Sequence, residues 1–374
     1  MENDGKCAGS LRIDRIGIYR FDIPLREPMK IATMETRSAP NVLVRIGTDG
    51  GIEGWGEASP LHAIVGETQE TCLAAAREIR PLLLSCDPRE TAALAAVMER
   101  FLPHNTTVRS AFDMALHDVA ARAAGLPLYR LLGGRRRSME TDLTIFIGDP
   151  DAAGDKALRV LERGFRIIKT KVGVSLEDDL RRLGNIRKAV GMGPGLRIDA
   201  NQGWRRMEAV RFLEAMGNLK IEFCEQPVRA RDLEGLRFVS DRSPVPVMAD
   251  EALFSASDAL RIIGLGAAPY FNITLSKSGG IREAGTIARI AEASGVPCMM
   301  GCMLESRLGI SAAAHFALAH EAVTFFDLDS FYDHAADPIA GGATVRDGMV
   351  EVPEEPGLGA VPDPAFLKTL VEIP

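Results

Sequence analysis

Along the second half of this chain, short apolar runs each close on a polar residue: TDLTIFIG, FRIIKTKVG, GLRIDAN, IEFCEQP, VPVMADE, YFNITLSK, PCMMGC and VTFFDLD. Thr144, Lys171, Asp199, Glu225, Asp250, Lys277, Gly301 and Asp327 mark the eight closures, spaced 24 to 28 residues apart. One strand, one helix and two short connections use about that much chain. Between the runs, Leu176 to Val190, Met207 to Met216, Arg282 to Ser294 and Leu308 to His320 carry apolar residues at three and four spacing, the mark of amphipathic helix. The alternation predicts eight parallel strands closed into a barrel with helices outside. It sets the polar beat at the C-terminal mouth, where such barrels carry their chemistry.

The first third has another texture. LRIDRIGIYRFDI, NVLVRIG and GIEGWGEA, set around the turn Asp49-Gly50-Gly51, read as antiparallel sheet over residues 11 to 54. Helical patterns follow at Glu67 to Leu83, Arg89 to Phe101 and Val108 to Ala124, the last stopped by Gly125-Leu126-Pro127. Sheet first and helices afterwards predicts an α+β module apart from the barrel, and 374 residues are enough for both. The expected organisation is an α/β protein with an α+β domain over 1–132 and a barrel over 133–340. The Gly- and Pro-rich segment 341–374 is expected to return to the first module.

Composition narrows the partners. A net charge of -7 with no basic stripe argues against nucleic acid. No run approaches the ~18 apolar residues of a membrane span, and MENDGKCAGSLRID holds no apolar secretory core, so a cytoplasmic location without a membrane partner is expected. Cys7, Cys72, Cys86, Cys224, Cys298 and Cys302 form no CxxC pair and read as reduced thiols.

The strand ends suggest a reaction. Asp199, Glu225 and Asp250 would close the third, fourth and fifth strands and converge, and like charges so crowded call for a cation. Donors that are all oxygen select a hard ion, Mg2+. Residues two apart on a strand share a face, which pairs Lys169 with Lys171, Asp199 with Asn201, and Asp327 with Asp329. In a ring of eight, the second and sixth strands are opposed, so Lys171 and Lys277 would face each other with the acids on the arc between. Two such amines can take a proton from one face of a carbon and return it to the other, if burial and nearby cations depress one of them. Lys169 would add positive charge where an enediolate develops on a metal-held carboxylate. Asp327 and Asp329, on the strand opposite Glu225, suit an ammonium at the far end of the substrate. Each residue alone also fits a plain role as rim charge, cap or edge lysine; their common phase carries the reading.

At these residues the chain resembles the enolase superfamily, in its muconate lactonizing branch. The motifs are Lys-x-Lys (Lys169, Lys171), Asp-Ala-Asn-Gln-Gly-Trp (Asp199 to Trp204), Glu-Gln-Pro (Glu225 to Pro227), Ala-Asp-Glu (Ala249 to Glu251) and Lys-x-Gly-Gly (Lys277 to Gly280). The resemblance implies a modified (β/α) barrel under an N-terminal α+β capping domain, with lysine bases working beside Mg2+. Asn201 and Glu251 would stand behind the metal ligands. Gly301 to Ser306, followed by Asp327 to Asp329, is similar to the dipeptide epimerases. That likeness implies 1,1-proton transfer at the α-carbon of a dipeptide's C-terminal residue, with Asp327 and Asp329 on the α-ammonium and Thr144, Lys169 and the backbone near Cys302 as further contacts. Where Ala-Glu epimerases place an arginine for the substrate side chain, this chain has Met34. That implies a hydrophobic side chain there, or a basic one drawn to Glu35, Asp333 or Asp337. The capping loops Pro28 to Thr36 and Pro60 to Thr68 would cover the mouth. The expected partners are a small-molecule dipeptide and copies of the same chain. Alternatives with the same machinery are o-succinylbenzoate synthase, N-succinylamino acid racemase and muconate cycloisomerase, and a barrel that binds without catalysis.

Overall fold

Strands β1 (Ile13–Lys30), β2 (Glu35–Thr48) and β3 (Glu53–Ala58) pair antiparallel in that order. The computed structural model describes residues 11–374; Cys7 and the rest of 1–10 lie outside the described residues. The β2–β3 hairpin turns at the expected glycines, and Gly51 adopts the φ of +74° that the turn needs. Both faces of this sheet are apolar because both are covered. Ile18, Val42, Val44 and Ile46 join one core with Cys72, Ile79, Phe112 and Leu116. Those partners lie on the helices Gln69–Leu83 and Thr106–Ala123. Tyr19, Phe21, Ile23, Leu43 and Trp55, alternating with the first set, join the core of the barrel.

Eight parallel strands follow: β4 (Leu143–Ile145), β5 (Ile167–Lys171), β6 (Gly195–Asp199), β7 (Cys224–Glu225), β8 (Val247–Ala249), β9 (Tyr270–Ile273), β10 (Cys298–Met300) and β11 (Val323–Phe326). They neighbour one another in chain order, as a βα period requires. Between β4 and β11 the seam is closed by one parallel bridge, Thr141 to Phe326, rather than by a ladder. The helices Leu176–Val190, Arg206–Met216, Ile281–Ala293 and Arg307–Ala319 lie within a residue of their expected bounds. Ala153–Glu162, Leu233–Ser240 and Ala256–Leu265, which the sequence pattern did not single out, occupy intervening connections.

Buried carboxylates of the first module cap helices of the barrel. Asp113 Oδ2 accepts from Ile281 N at 2.6 Å and Arg282 N at 3.3 Å. Glu57, on β3, accepts from Ser306 N at 2.9 Å, Ser306 Oγ at 2.6 Å and Gly309 N at 3.0 Å. Each satisfies orphan amides at a helix N-terminus, where the dipole also favours negative charge. The chain end lies along β1, with Ile373 N donating to Ile18 O at 2.7 Å and Glu372 paired with Arg15 at 2.9 Å. Among the described residues, no helix is long and apolar enough to cross a membrane, and Cys72, Cys86, Cys224, Cys298 and Cys302 are free.

Candidate active site

The polar strand ends border one cavity at the mouth of the barrel. Lys169, Lys171, Asp199, Glu225 and Asp250 line it, together with Thr144, Asn201, Cys302, Asp327 and Asp329. Lys277, Glu251 and Met34 do not. Lys277 is fully buried on the short helix after β9. Its ammonium donates to Asp250 O at 2.7 Å and Asn272 O at 3.0 Å, and to the Asp250 carboxylate. Glu251 stands behind the cavity and accepts from Asn201 Nδ2 at 3.1 Å.

Charge runs in strand order. Lys171 Nζ donates to Asp199 Oδ2 at 2.6 Å, Lys169 lies 2.7 Å from both Glu225 Oε2 and Asp327 Oδ2, and Lys277 holds Asp250. The arc Lys171, Asp199, Glu225, Asp250, Lys277 therefore has a lysine at each end, in contact with the acid nearest to it. The three acids share the cavity but do not meet at a point. Among the described residues, the one group of acids, thiols or imidazoles whose ligand atoms lie within 4.8 Å of one another is Cys302, Asp327 and Asp329. Asp199, Glu225 and Asp250 each turn to a lysine instead, the arrangement that mutual repulsion and nearby ammonium groups favour. Their chemistry still fits a hard divalent cation. All three donors are carboxylates on adjacent strands, at most 6% exposed, and Glu225 Oε2 has no hydrogen bond of proper geometry.

The expectation of a depressed lysine needs correction. Burial pulls the Lys171 pKa down, but Asp199, Glu225 and Asp327 together outweigh it, and the net direction is up. Lys169 likewise is held well above the usual lysine range, because Asp327, Glu225 and Asp199 overcome its burial. The acids show the reciprocal strain: burial and the Asp199 charge push Glu225 up to about 7, and burial and Asp327 push Asp329 up to about 7.

The backbone at the strand ends is built for these positions. Asn201, Gln202 and Gln226 have φ of +38°, +68° and +34°, a region that costs a side-chain-bearing residue free energy and persists where the surroundings enforce it. The Gln226 turn lets its Oε1 accept from Asp250 N at 2.9 Å and Ala252 N at 3.1 Å, fixing the third acid. Gly203 is needed for close approach, since a Cβ there would stand 2.2 Å from Gly173 O.

From the capping module, Met29, Ile31, Leu61 and Ile64 reach the cavity, so both expected loops contribute. Met34 does not line it; a turn in which Ile31 N donates to Met34 O at 3.0 Å brings Ile31 there instead. Of the three acids offered for a basic side chain, Asp333 lines the cavity, whereas Glu35 is exposed and Asp337 pairs with Arg307 at 2.7 Å. Sequence reasoning also missed Asn272, whose Nδ2 holds Glu225 and whose carbonyl holds Lys277. It missed Arg197 as well, which ties β6 to Asp142 at 2.9 Å below the mouth. A signal was present: Asn272 and Arg197 are polar residues within apolar runs, two positions before Thr274 and Asp199.

Comparisons with known proteins bear on the family and the fold. Residues 15–133 match the family model of the mandelate racemase/muconate lactonizing enzyme N-terminal domain, and residues 152–366 match the enolase C-terminal domain-like family. The L-Ala-D/L-Glu epimerase of Bacillus subtilis is 40% identical over 355 residues, 94% of this chain and 97% of the relative. The dipeptide epimerase of Cytophaga hutchinsonii, solved with Mg and D-Ala-L-Val, superposes with a TM-score of 0.95 at 38% identity, covering 97% of this chain and 99% of that one. The dipeptide epimerase of Enterococcus faecalis, solved with Mg and L-Leu-L-Tyr, gives a TM-score of 0.91 at 37% identity over 93% of this chain and 99% of that one.

Proposed function

The chain belongs to the mandelate racemase/muconate lactonizing enzyme family of the enolase superfamily, and on that premise we propose that it is a Mg2+-dependent dipeptide epimerase acting on substrates with an apolar C-terminal side chain. The observation that carries the reading is the arc of two lysines enclosing three carboxylates in strand order. Asp199, Glu225 and Asp250 would hold Mg2+, which when bound supplies positive charge to the substrate carboxylate and so acidifies the neighbouring C–H.

The chain's own residues do the rest. Lys171 and Lys277, from the two ends of the arc, serve as the two bases; one takes the α-proton and the other returns a proton to the opposite face. Engaging Asp199 elsewhere would weaken the hold on the Lys171 proton, since Asp199 is the foremost of the acids that raise its pKa. Lys169 presents a fixed ammonium where negative charge grows on the carboxylate oxygens. Asp329, braced by Thr144 N at 2.7 Å, and Asp327 receive the α-ammonium, which sets the dipeptide's direction. Asn201 and Glu251 brace the metal ligands from behind. Met29, Ile31, Leu61 and Ile64, the side chains that the capping module brings to the cavity, are all apolar, and they exclude water and favour an apolar side chain. The relative solved with L-Leu-L-Tyr supports that preference.

Incubating the protein with Mg2+ and a mixed dipeptide library in deuterated water tests this directly. Mass spectrometry should find deuterium at the C-terminal α-carbon, strongest for apolar residues. A library without incorporation contradicts the epimerase reading, and incorporation confined to acidic C-terminal residues contradicts the side-chain preference.

A further inference from the structure

The seam between β4 and β11 sets two acids against each other. Thr141 bridges to Phe326 there, and Asp142 N donates to Phe326 O at 3.4 Å, which brings Asp142 beside Asp327. Asp142 and Thr144 stand two apart along the run that enters β4, on one face. Thr144 N holds Asp329 Oδ2 at 2.7 Å, and the Asp142 carboxyl is within hydrogen-bond reach of the Asp327 carboxyl. The run into the first barrel strand therefore meets both acids of the Asp-Leu-Asp pair, in register.

Each of the two carboxyls has one oxygen engaged. Asp327 Oδ2 accepts from Lys169 Nζ at 2.7 Å, and Asp142 Oδ2 accepts from Arg197 Nη1 at 2.9 Å. The other two oxygens, Asp327 Oδ1 and Asp142 Oδ1, are buried and receive no N–H or O–H from the rest of the described residues. Two carboxylates so opposed repel, and two buried acceptors without a donor are costly; one proton between them removes both penalties. The surroundings set that proton on Asp142. Burial pushes its carboxyl well above the usual range, and the Asp327 and Asp329 charges add to this, although Arg197 and Lys169 oppose it. For Asp327, Lys169, Lys171 and its hydrogen bonds outweigh burial and hold it below the usual range.

We propose that Asp142 is a positioning residue for the ammonium site: as a carboxylic acid it donates its O–H to Asp327 Oδ1 and so fixes the face that Asp327 turns to the dipeptide. Glu222, Arg197, Asp142, Asp327 and Lys169 then form one unbroken line of hydrogen bonds. Lys169 by itself leaves Asp327 hinged on a single oxygen; the Asp142 proton pins the second. The positioning role rests on the assignment of Asp327 to the α-ammonium; the hydrogen bond itself does not.

The test joins infrared spectroscopy with kinetics on the full-length, Mg2+-loaded protein, using Asp142→Asn and Asp142→Ala, each checked for folding by circular dichroism. In deuterated water the parent should show the C=O stretch of a protonated carboxyl that Asp142→Asn lacks. Asparagine offers Nδ2–H to Asp327 and its oxygen to Arg197, so Asp142→Asn should keep KM for L-Ala-L-Leu within about threefold of the parent. Asp142→Ala offers neither and should raise KM by about tenfold or more, with kcat less affected. A parent-minus-variant spectrum without the acid band overturns the hydrogen bond. A band accompanied by the parental KM in Asp142→Ala, or by an equally raised KM in Asp142→Asn, overturns the positioning role. If the parent turns over no dipeptide, the epimerase reading fails and the positioning role with it, while the acid band still decides the hydrogen bond.

Discussion

Lys171 Nζ lies 2.6 Å from Asp199 Oδ2, so the side chain assigned as a base and a side chain assigned to the metal neutralise each other. On the proposed function, Mg2+ held by Asp199 would compete with that ammonium. Lys171→Ala should therefore bind Mg2+ more tightly than the parent, by about tenfold for a contact of roughly 1.4 kcal/mol, while losing epimerisation. Isothermal titration with Mg2+ measures this; weaker binding in the variant contradicts the competition.

Asp329 is the acid whose charge the substrate ammonium would satisfy. Asp329→Asn should lower kcat/KM for dipeptides by about 10- to 100-fold, the cost of a lost charged hydrogen bond of ~1.5–3 kcal/mol, chiefly through KM. A dipeptide with an acetylated N-terminus should be a poor substrate for parent and variant alike. Equal turnover of the acetylated compound by the parent would favour the succinylated or lactone substrates, which carry no ammonium.

How far the chain could be read in advance followed the physics of each signal. The βα period was legible because most strands end on, or shortly before, a polar residue at the mouth, and the helices Leu176–Val190 and Ile281–Ala293 carry their apolar stripe openly. Lys169, Lys171, Asp199, Glu225 and Asp250 came together as their phase implied. Met34 was misplaced because a turn in the first capping loop, closed by Ile31 N on Met34 O, has no periodicity to read. The lysine pKa values went the other way because charge between side chains depends on distances of a few ångströms, which spacing along the chain does not contain. Asn272 sat in the alternation of β9 but looked like one more strand residue.

Glu57 accepts four hydrogen bonds, one from Asn41 Nδ2 in its own sheet and three that link the two modules, from Ser306 N, Ser306 Oγ and Gly309 N. Glu57→Ala should cost about 3 kcal/mol, since it strands buried amides at a helix N-terminus. Urea unfolding should show the lowered midpoint. Glu57→Gln should fall between, as burial already pushes the Glu57 carboxyl up.

His315 is buried with Nδ1 accepting from Tyr129 N at 3.2 Å, and burial lowers its pKa to about 4. Between pH 4 and 6.5 the unfolded chain binds the extra proton and the folded one does not, so stability is present above about pH 6.5 and falls as pH drops toward 4. The loss at the lower limit is about 3 kcal/mol. Replacing His315 with Gln should flatten the fall of Tm over this window; an unchanged slope contradicts the assignment.

The proposed role of Lys171 and Lys277 as opposed bases is tested most directly by α-proton exchange in deuterated water, followed by NMR on each pure epimer of one dipeptide with Lys171→Ala and Lys277→Ala. The account predicts that the parent exchanges both epimers, that neither variant interconverts them, and that any exchange surviving in a variant is confined to one epimer. Exchange of both epimers at the parent rate in either variant would contradict it.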